Sequence, residues 1–261
     1  MIPLGDDLPT LRAPWGTYGI IAACFGAWFL VQGAGADPEL LVSSVCNLGM
    51  VPGEITHRAP LGSGIPIAPG LICQIDNDPI NSFTPLISMF LHGSWGHIVI
   101  NMLFFYVFGR HVEDSMGRGR FVVFYLVCGL AAAATHIALN ASSPVPTVGA
   151  SGAISGVMGA YLVLYPRARV RMLFPPFFIF SLAAWLVLVY WFVTQVIAGL
   201  PELMTVRPDV SGGVAVWAHV GGFVAGIALI GLFADRQLTE AHRGAGRGRY
   251  SRGGPWWFGP G

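Results

Sequence analysis

Long apolar runs alternate along the chain with short polar segments rich in arginine. The runs near 17–35, 93–110, 120–140, 149–166, 177–199 and 213–234 are each long enough, at about 20 residues, to cross roughly 30 Å of hydrocarbon as a helix. The pattern predicts an all-α membrane protein, a bundle of six spans over 17–234. Between the first two runs lies a segment, 36–92, rich in Pro and Gly and carrying Asp37, Glu39, Glu54, Asp76 and Asp78. It reads as an extramembrane loop with room for short interfacial helices. A polar segment, 1–16, precedes the first run, and its Asp6 and Asp7 set against Arg12 are unlike the start of a cleavable signal peptide. The first span is therefore expected to stay as an anchor. An Arg/Gly-rich tail, 235–261, closes with Trp256-Trp257-Phe258 and is expected to be a disordered basic tail near anionic lipid. Neither a 20–50-residue repeat nor the matched broken segments of an inverted-repeat transporter are visible in the sequence.

Composition fixes the solvent. Hydrophobic residues make up 54% of the 261 and charged residues 10%, where a soluble domain has about 25% charged. A soluble globular enzyme and a disordered chain are both excluded, and the lipid bilayer is the first expected partner. The net charge of +1 gives no reason to expect nucleic acid. All 14 basic residues are Arg, so their placement carries the information. Arg110, Arg118 and Arg120 follow span two, Arg167, Arg169 and Arg171 follow span four, and Arg236, Arg243, Arg247, Arg249 and Arg252 follow span six. With Arg12 these are 12 of the 14, leaving Arg58 and Arg207 for the other side. The positive-inside rule then puts both termini in the cytoplasm of a cell, with a bacterial inner membrane as the expected location.

Polar residues inside the spans are the candidate chemistry. Ser151 precedes Arg167 by 16 residues and His219 precedes Asp235 by 16, which puts both roughly 24 Å above the inner face at a rise of 1.5 Å per residue. His97, 13 residues before Arg110, reaches roughly 20 Å by the same rise. His136, 16 residues beyond Arg120, reaches the level of Ser151 as well, so depth leaves two histidines as its partner. An ionisable side chain at such depth costs about 2.5–3.5 kcal/mol or more, so it faces the protein interior and is a functional candidate. Small residues at 152, 156, 159 and 160, and again at Ala218, Gly222 and Gly226, let two helices approach closely. The Ala131–Ala134 run before His136 is also small, and spacing does not choose between them. Pro144 and Pro146 delay the start of span four to about Gly149, which leaves Ser151 in a first turn whose free N–H groups favour an anion.

Gly149-Ala150-Ser151-Gly152 with Ala218-His219-Val220-Gly221-Gly222, preceded by His92-Gly93-Ser94-Trp95-Gly96-His97 through Asn101, resembles the rhomboid intramembrane serine proteases of bacterial type. Phe108-Gly109-Arg110-His111-Val112-Glu113-Asp114 and Tyr165-Pro166-Arg167-Ala168-Arg169 resemble the cytoplasmic turns of the same family. The resemblance implies a dyad, Ser151 as nucleophile and His219 as general base, with His136 left to packing. It implies an oxyanion hole from the Asn101 side chain, His97 and the Ser151 backbone N–H. Gly149, Gly152 and Gly222 are implied as supporting positions, with His92 near the cavity mouth. It also implies single-pass transmembrane proteins as substrates, and a lateral gate in span five, with its Trp185, Trp191 and Phe192. Neither cofactor nor metal is implied, and H-E-x-x-H is absent. Ser155 departs from members that carry a Tyr there to stack on the histidine, so another side chain is expected to hold the His219 ring. The rival readings are an inactive rhomboid-like binder of membrane helices and a transporter using the same Ser/His set. In the outer loop Cys46 and Cys73 leave two readings open, a disulfide or two buried thiols.

Overall fold

The computed structural model describes residues 1–68, 70–174, 176–204 and 215–252, so Arg207 and Trp256-Trp257-Phe258 lie outside the described residues. The six apolar runs carry six helices: α1 (Trp15–Leu30), α5 (Trp95–Met116), α6 (Arg118–Leu139), α7 (Ser151–Leu164), α8 (Ala184–Met204) and α9 (Val216–Phe233). Among the described residues, α6, α8 and α9 are long and apolar enough to cross a bilayer. The segment Thr84–Phe90 and α5, bent by 91° at their junction, qualify together as a fourth. The other two, α1 and α7, are apolar but shorter, at 16 and 14 residues. The start of α7 is delayed by Pro144, Pro146 and a Gly149 at φ +132°, and Pro166 stands just past its end.

Three features differ from the sequence expectation. The fold is mostly helical, but it is not purely so: β1 (Ile2–Asp6), β4 (Arg169–Phe174) and β5 (Phe178–Ala183) form an antiparallel sheet in the order β1-β4-β5, and β2 (Gly64–Ala68) pairs with β3 (Leu71–Gln74). In β4 the exposed Arg169 and Arg171 alternate with the buried Val170 and Met172, the two-residue period of a half-covered strand. Second, the run at 177–199 is divided. Its first residues form β5, and the helix begins at Ala184. Third, the tail is not disordered where it is described, because α10 (Arg236–Arg252) continues the chain beyond α9. Asp235 accepts the N–H groups of Gln237 (2.9 Å) and Leu238 (3.2 Å), a helix cap, and Thr239 and His242, three residues apart, are buried against the bundle.

The segment between α1 and α5 folds into α2 (Pro38–Leu48), capped by Asp37, the short α3 (Pro52–Ile55) and α4 (Thr84–Ile87), and the β2–β3 hairpin. A Cys46–Cys73 disulfide, Cα atoms 5.2 Å apart, ties α2 to β3, while Cys24 and Cys128 are buried free thiols. Burial pushes the Glu54 carboxyl above its ordinary value, and the Asp76 N–H that it accepts at 3.2 Å partly offsets this.

Aromatic side chains fill the core, with Trp28, Phe105, Phe108, Phe121, Phe124, Tyr125 and Tyr161 fully buried. The closest approach is between α7 and α9, backbone against backbone. A Cβ on Gly222 would run into the Gly152 carbonyl, and one on Gly226 into that of Gly156. Glu113 joins α1 to α5 by accepting the N–H groups of Gly16 and Thr17 and the Thr17 hydroxyl, each at 2.8 Å. A carboxylate there also meets the positive end of the α1 dipole.

Candidate active site

The α7–α9 contact brings Ser151 and His219 together. Ser151 Oγ lies 2.7 Å from His219 Nε2, and the Nδ1 of the same ring lies 2.8 Å from Gln195 Oε1 on α8. An amide oxygen can only accept, so Nδ1 carries the ring proton and Nε2 presents a lone pair to the serine hydroxyl. Trp191, one turn before Gln195, sets its ring 5.8 Å from that of His219 at 42°. The space a Tyr would take at position 155 is occupied differently, since the Ser155 hydroxyl donates to the Ser151 carbonyl at 2.6 Å. The sequence reading left the holder of the His219 ring unnamed, put Trp191 in a gate and missed Gln195.

Opposite the dyad stands the start of α5. Ser94 caps this helix by accepting the His97 N–H at 3.1 Å, and His97 Nδ1 accepts the Gly93 N–H at 3.3 Å. One turn further, Asn101 is buried and its Nδ2 has no hydrogen-bond partner among the described residues. His97, Asn101, Gly149, Ser151, Gly152 and His219 all line one cavity of about 310 Å³. A Cβ on Gly149 would come within 3.0 Å of the His97 ring, so this glycine allows the close approach. Gly152 works similarly, because its Cβ would press on that of Ala132. The first intrahelical bond of α7 runs from the Ile154 N–H to the Ala150 carbonyl. The N–H groups of Ser151, Gly152 and Ala153 therefore precede the helical ladder, beside the nucleophile.

The other two histidines named from the sequence, His92 and His136, make contacts of their own. His92 is fully buried, its ring 5.1 Å from that of His97, and its backbone is gripped at both ends by the Gln32 side chain (2.7 and 2.8 Å). His136 faces Thr147 Oγ1 at 3.3 Å and Asn140 Nδ2 at 3.4 Å, which ties α6 to the loop before the serine. Thr147 also exchanges backbone hydrogen bonds with Met50 (2.8 and 2.9 Å), and the Gly149 N–H donates to Ser88 O at 2.9 Å. The approach to Ser151 is thus fixed from two sides. Among the described residues, the group of side chains close enough to hold a metal ion is elsewhere, at the far end of α5.

Comparisons with known proteins point to one family. A family model described as the Rhomboid domain matches residues 81–236. "Presenilin-associated rhomboid-like protein A, mitochondrial" of Danio rerio is 28% identical over 154 residues, 56% of this chain and 36% of its own length. "Rhomboid protease GluP" of Bacillus subtilis is 40% identical over 79 residues, 30% of this chain and 14% of its own. "Rhomboid protein 1, mitochondrial" of Saccharomyces cerevisiae is 25% identical over 175 residues, 61% of this chain and 45% of its own. The chain spans less than half the length of each of these relatives.

Proposed function

This chain belongs to the rhomboid family, whose members are generally intramembrane serine proteases, and from that premise we propose that it is itself a serine endopeptidase that cleaves transmembrane helices near the outer face. The observation that carries the proposal is the hydrogen-bonded series Gln195–His219–Ser151, at 2.8 and 2.7 Å, opening on the cavity. As Ser151 Oγ bonds to the scissile carbonyl carbon, its proton passes to His219 Nε2, and the imidazolium keeps its Nδ1–H on Gln195. The carbonyl oxygen becomes an anion received by the Ser151 N–H, Asn101 Nδ2 and the His97 ring. Collapse breaks the C–N bond, His219 returns the proton to the leaving amine, and water repeats the sequence on the acyl-enzyme.

The six helices are proposed as six spans of a protease domain, 17–234, with segments 1–16 and 235–261 on the cytoplasmic side. The arginine distribution supports this. The proposed location is a cell membrane, as in a bacterial inner membrane, and the proposed substrates are single-pass membrane proteins. A substrate backbone in hydrocarbon must be helical, so its cut site would carry residues that ease unwinding. Of the three long helices α8 is the least enclosed, 22% of its apolar window buried against 39% for α6 and 44% for α9, which supports α8 as the side of entry.

The test is Ser151-dependent labelling of detergent-solubilised protein by a fluorophosphonate, with cleavage of a model transmembrane substrate. Ser151→Ala and His219→Ala should each abolish cleavage, and the double variant should be no worse, because the two act as one unit. Cleavage by purified Ser151→Ala would remove Ser151 from the chemistry, and a folded wild type that neither labels nor cleaves would reduce the chain to a binder of membrane helices.

A further inference from the structure

At the end of α5 remote from Ser151, three buried side chains converge that the proteolytic chemistry does not use. His111 and Asp114 are three residues apart on one face of α5, and His242 comes from α10. His111 Nδ1 lies 3.3 Å from His242 Nε2, which lies 3.6 Å from Asp114 Oδ2, and the donor atoms fall within 4.8 Å of one another. We propose that His111 Nδ1, His242 Nε2 and Asp114 Oδ2 bind a divalent transition-metal ion of the zinc class, which fastens α10 to α5.

The donor set and the spacing both fit. Two imidazole nitrogens with one carboxylate oxygen suit zinc and its first-row neighbours rather than calcium or magnesium. Nitrogens bonded at about 2.0–2.1 Å to a tetrahedral ion are roughly 3.3–3.4 Å apart, the length of the edge between these two rings. The outer partner of His111 fits as well. Its Nε2 is 2.9 Å from Asp6 Oδ1 on β1, the carboxylate–histidine arrangement that directs the opposite lone pair toward a metal. Arg110 Nε–H donates to the same Nε2 at 3.0 Å, and Arg110 Nη2 donates to Asp6 Oδ1 at 3.1 Å. Metal binding at Nδ1 moves the ring proton to Nε2, where Asp6 Oδ1 takes it in a charge-assisted bond and the Arg110 Nε–H gives way. Asp6 is held in turn by the Tyr161 hydroxyl at 2.8 Å. Asp114 is oriented by the Leu11 N–H (2.9 Å) and the Arg12 N–H (3.2 Å), with the half-exposed Arg12 guanidinium 3.4 Å away. A cavity of about 270 Å³ lined by Arg12, Asp114 and Arg118 lies on the Asp114 side of the cluster.

The chain without a polyhistidine tag, stripped with a chelator and equilibrated with Zn²⁺ or Co²⁺, should retain about one equivalent, and Co²⁺ should show the visible bands of a tetrahedral site. Zn²⁺ should raise the thermal midpoint of the stripped protein. His242→Gln and Asp114→Asn, both still polar, should lose the equivalent, and Asp6→Asn should weaken binding by roughly 10–100-fold. Wild type retaining no stoichiometric metal, or as much metal in the two ligand variants, would overturn the site and leave a plain His111–His242 hydrogen bond. Metal content is read directly, so neither result depends on whether Ser151 cleaves anything.

Discussion

Asn101 shows what a single residue contributes. A polar bridge between helices is a paired group, because a buried side-chain donor left without a partner costs about 1–3 kcal/mol. Among the described residues its Nδ2 has no hydrogen-bond partner, and it stands beside the cavity that Ser151 lines, one turn from His97. A group that waits for negative charge acts on the transition state, so Asn101→Ala should lower kcat by roughly 10²–10³ with KM little changed. The same variant loses no protein hydrogen bond from Nδ2, and its thermal stability should hold. A bridging Asn would behave oppositely, with stability falling by about 0.6–2 kcal/mol and turnover following the folded fraction. Near-normal kcat in a well-folded Asn101→Ala removes this residue from the proposed chemistry.

The helix that carries Gln195 marks the limit of what periodicity and hydropathy disclose. Ser151, His219 and His97 could be picked out because each is a polar residue at one depth in an apolar run, and depth follows from residue count; His136 qualified equally, and only the family resemblance preferred His219 and added Asn101. Gln195 belongs to the same class: with Thr194 it forms a polar pair in the run after Ala184. Its partner depends on how α8 tilts against α9, which no spacing within either helix encodes. Hydropathy also merged β5 with α8, because a strand at a membrane edge and a span are equally apolar. The arginine alternation in β4 was the available sign of the sheet. The cap at Asp235, and Thr239 with His242, were the available signs of α10. At this scale the test of Gln195 is Gln195→Met, which keeps length and apolar contact but removes the acceptor of the His219 Nδ1–H. Losing a hydrogen bond to a group that becomes charged costs about 1.5–3 kcal/mol, so kcat should fall roughly 10–100-fold. KM should stay close to wild type if Gln195 positions the histidine. A rise in KM with kcat retained would instead assign it to substrate entry.

The whole molecule joins a disulfide-tied cap to an arginine-rich opposite end, and the disulfide makes the proposed orientation measurable. Cys46 and Cys73 close a loop with a sequence separation of 27, for which chain entropy gives about 3–4 kcal/mol. That loop contains Met50, whose backbone pairs with Thr147, four residues before the nucleophile. Reduction should therefore lower the thermal midpoint and loosen the segment that holds Ser151 at the start of α7. In sealed cells, a membrane-impermeant reductant followed by an impermeant maleimide should label Cys46 and Cys73 from outside, while the buried Cys24 and Cys128 stay unlabelled until the protein is denatured. A reporter fused after Gly261 should remain inaccessible from that side. Labelling of the pair only after the cells are opened would reverse the proposed orientation, and with it the side of the membrane on which Ser151 meets its substrate.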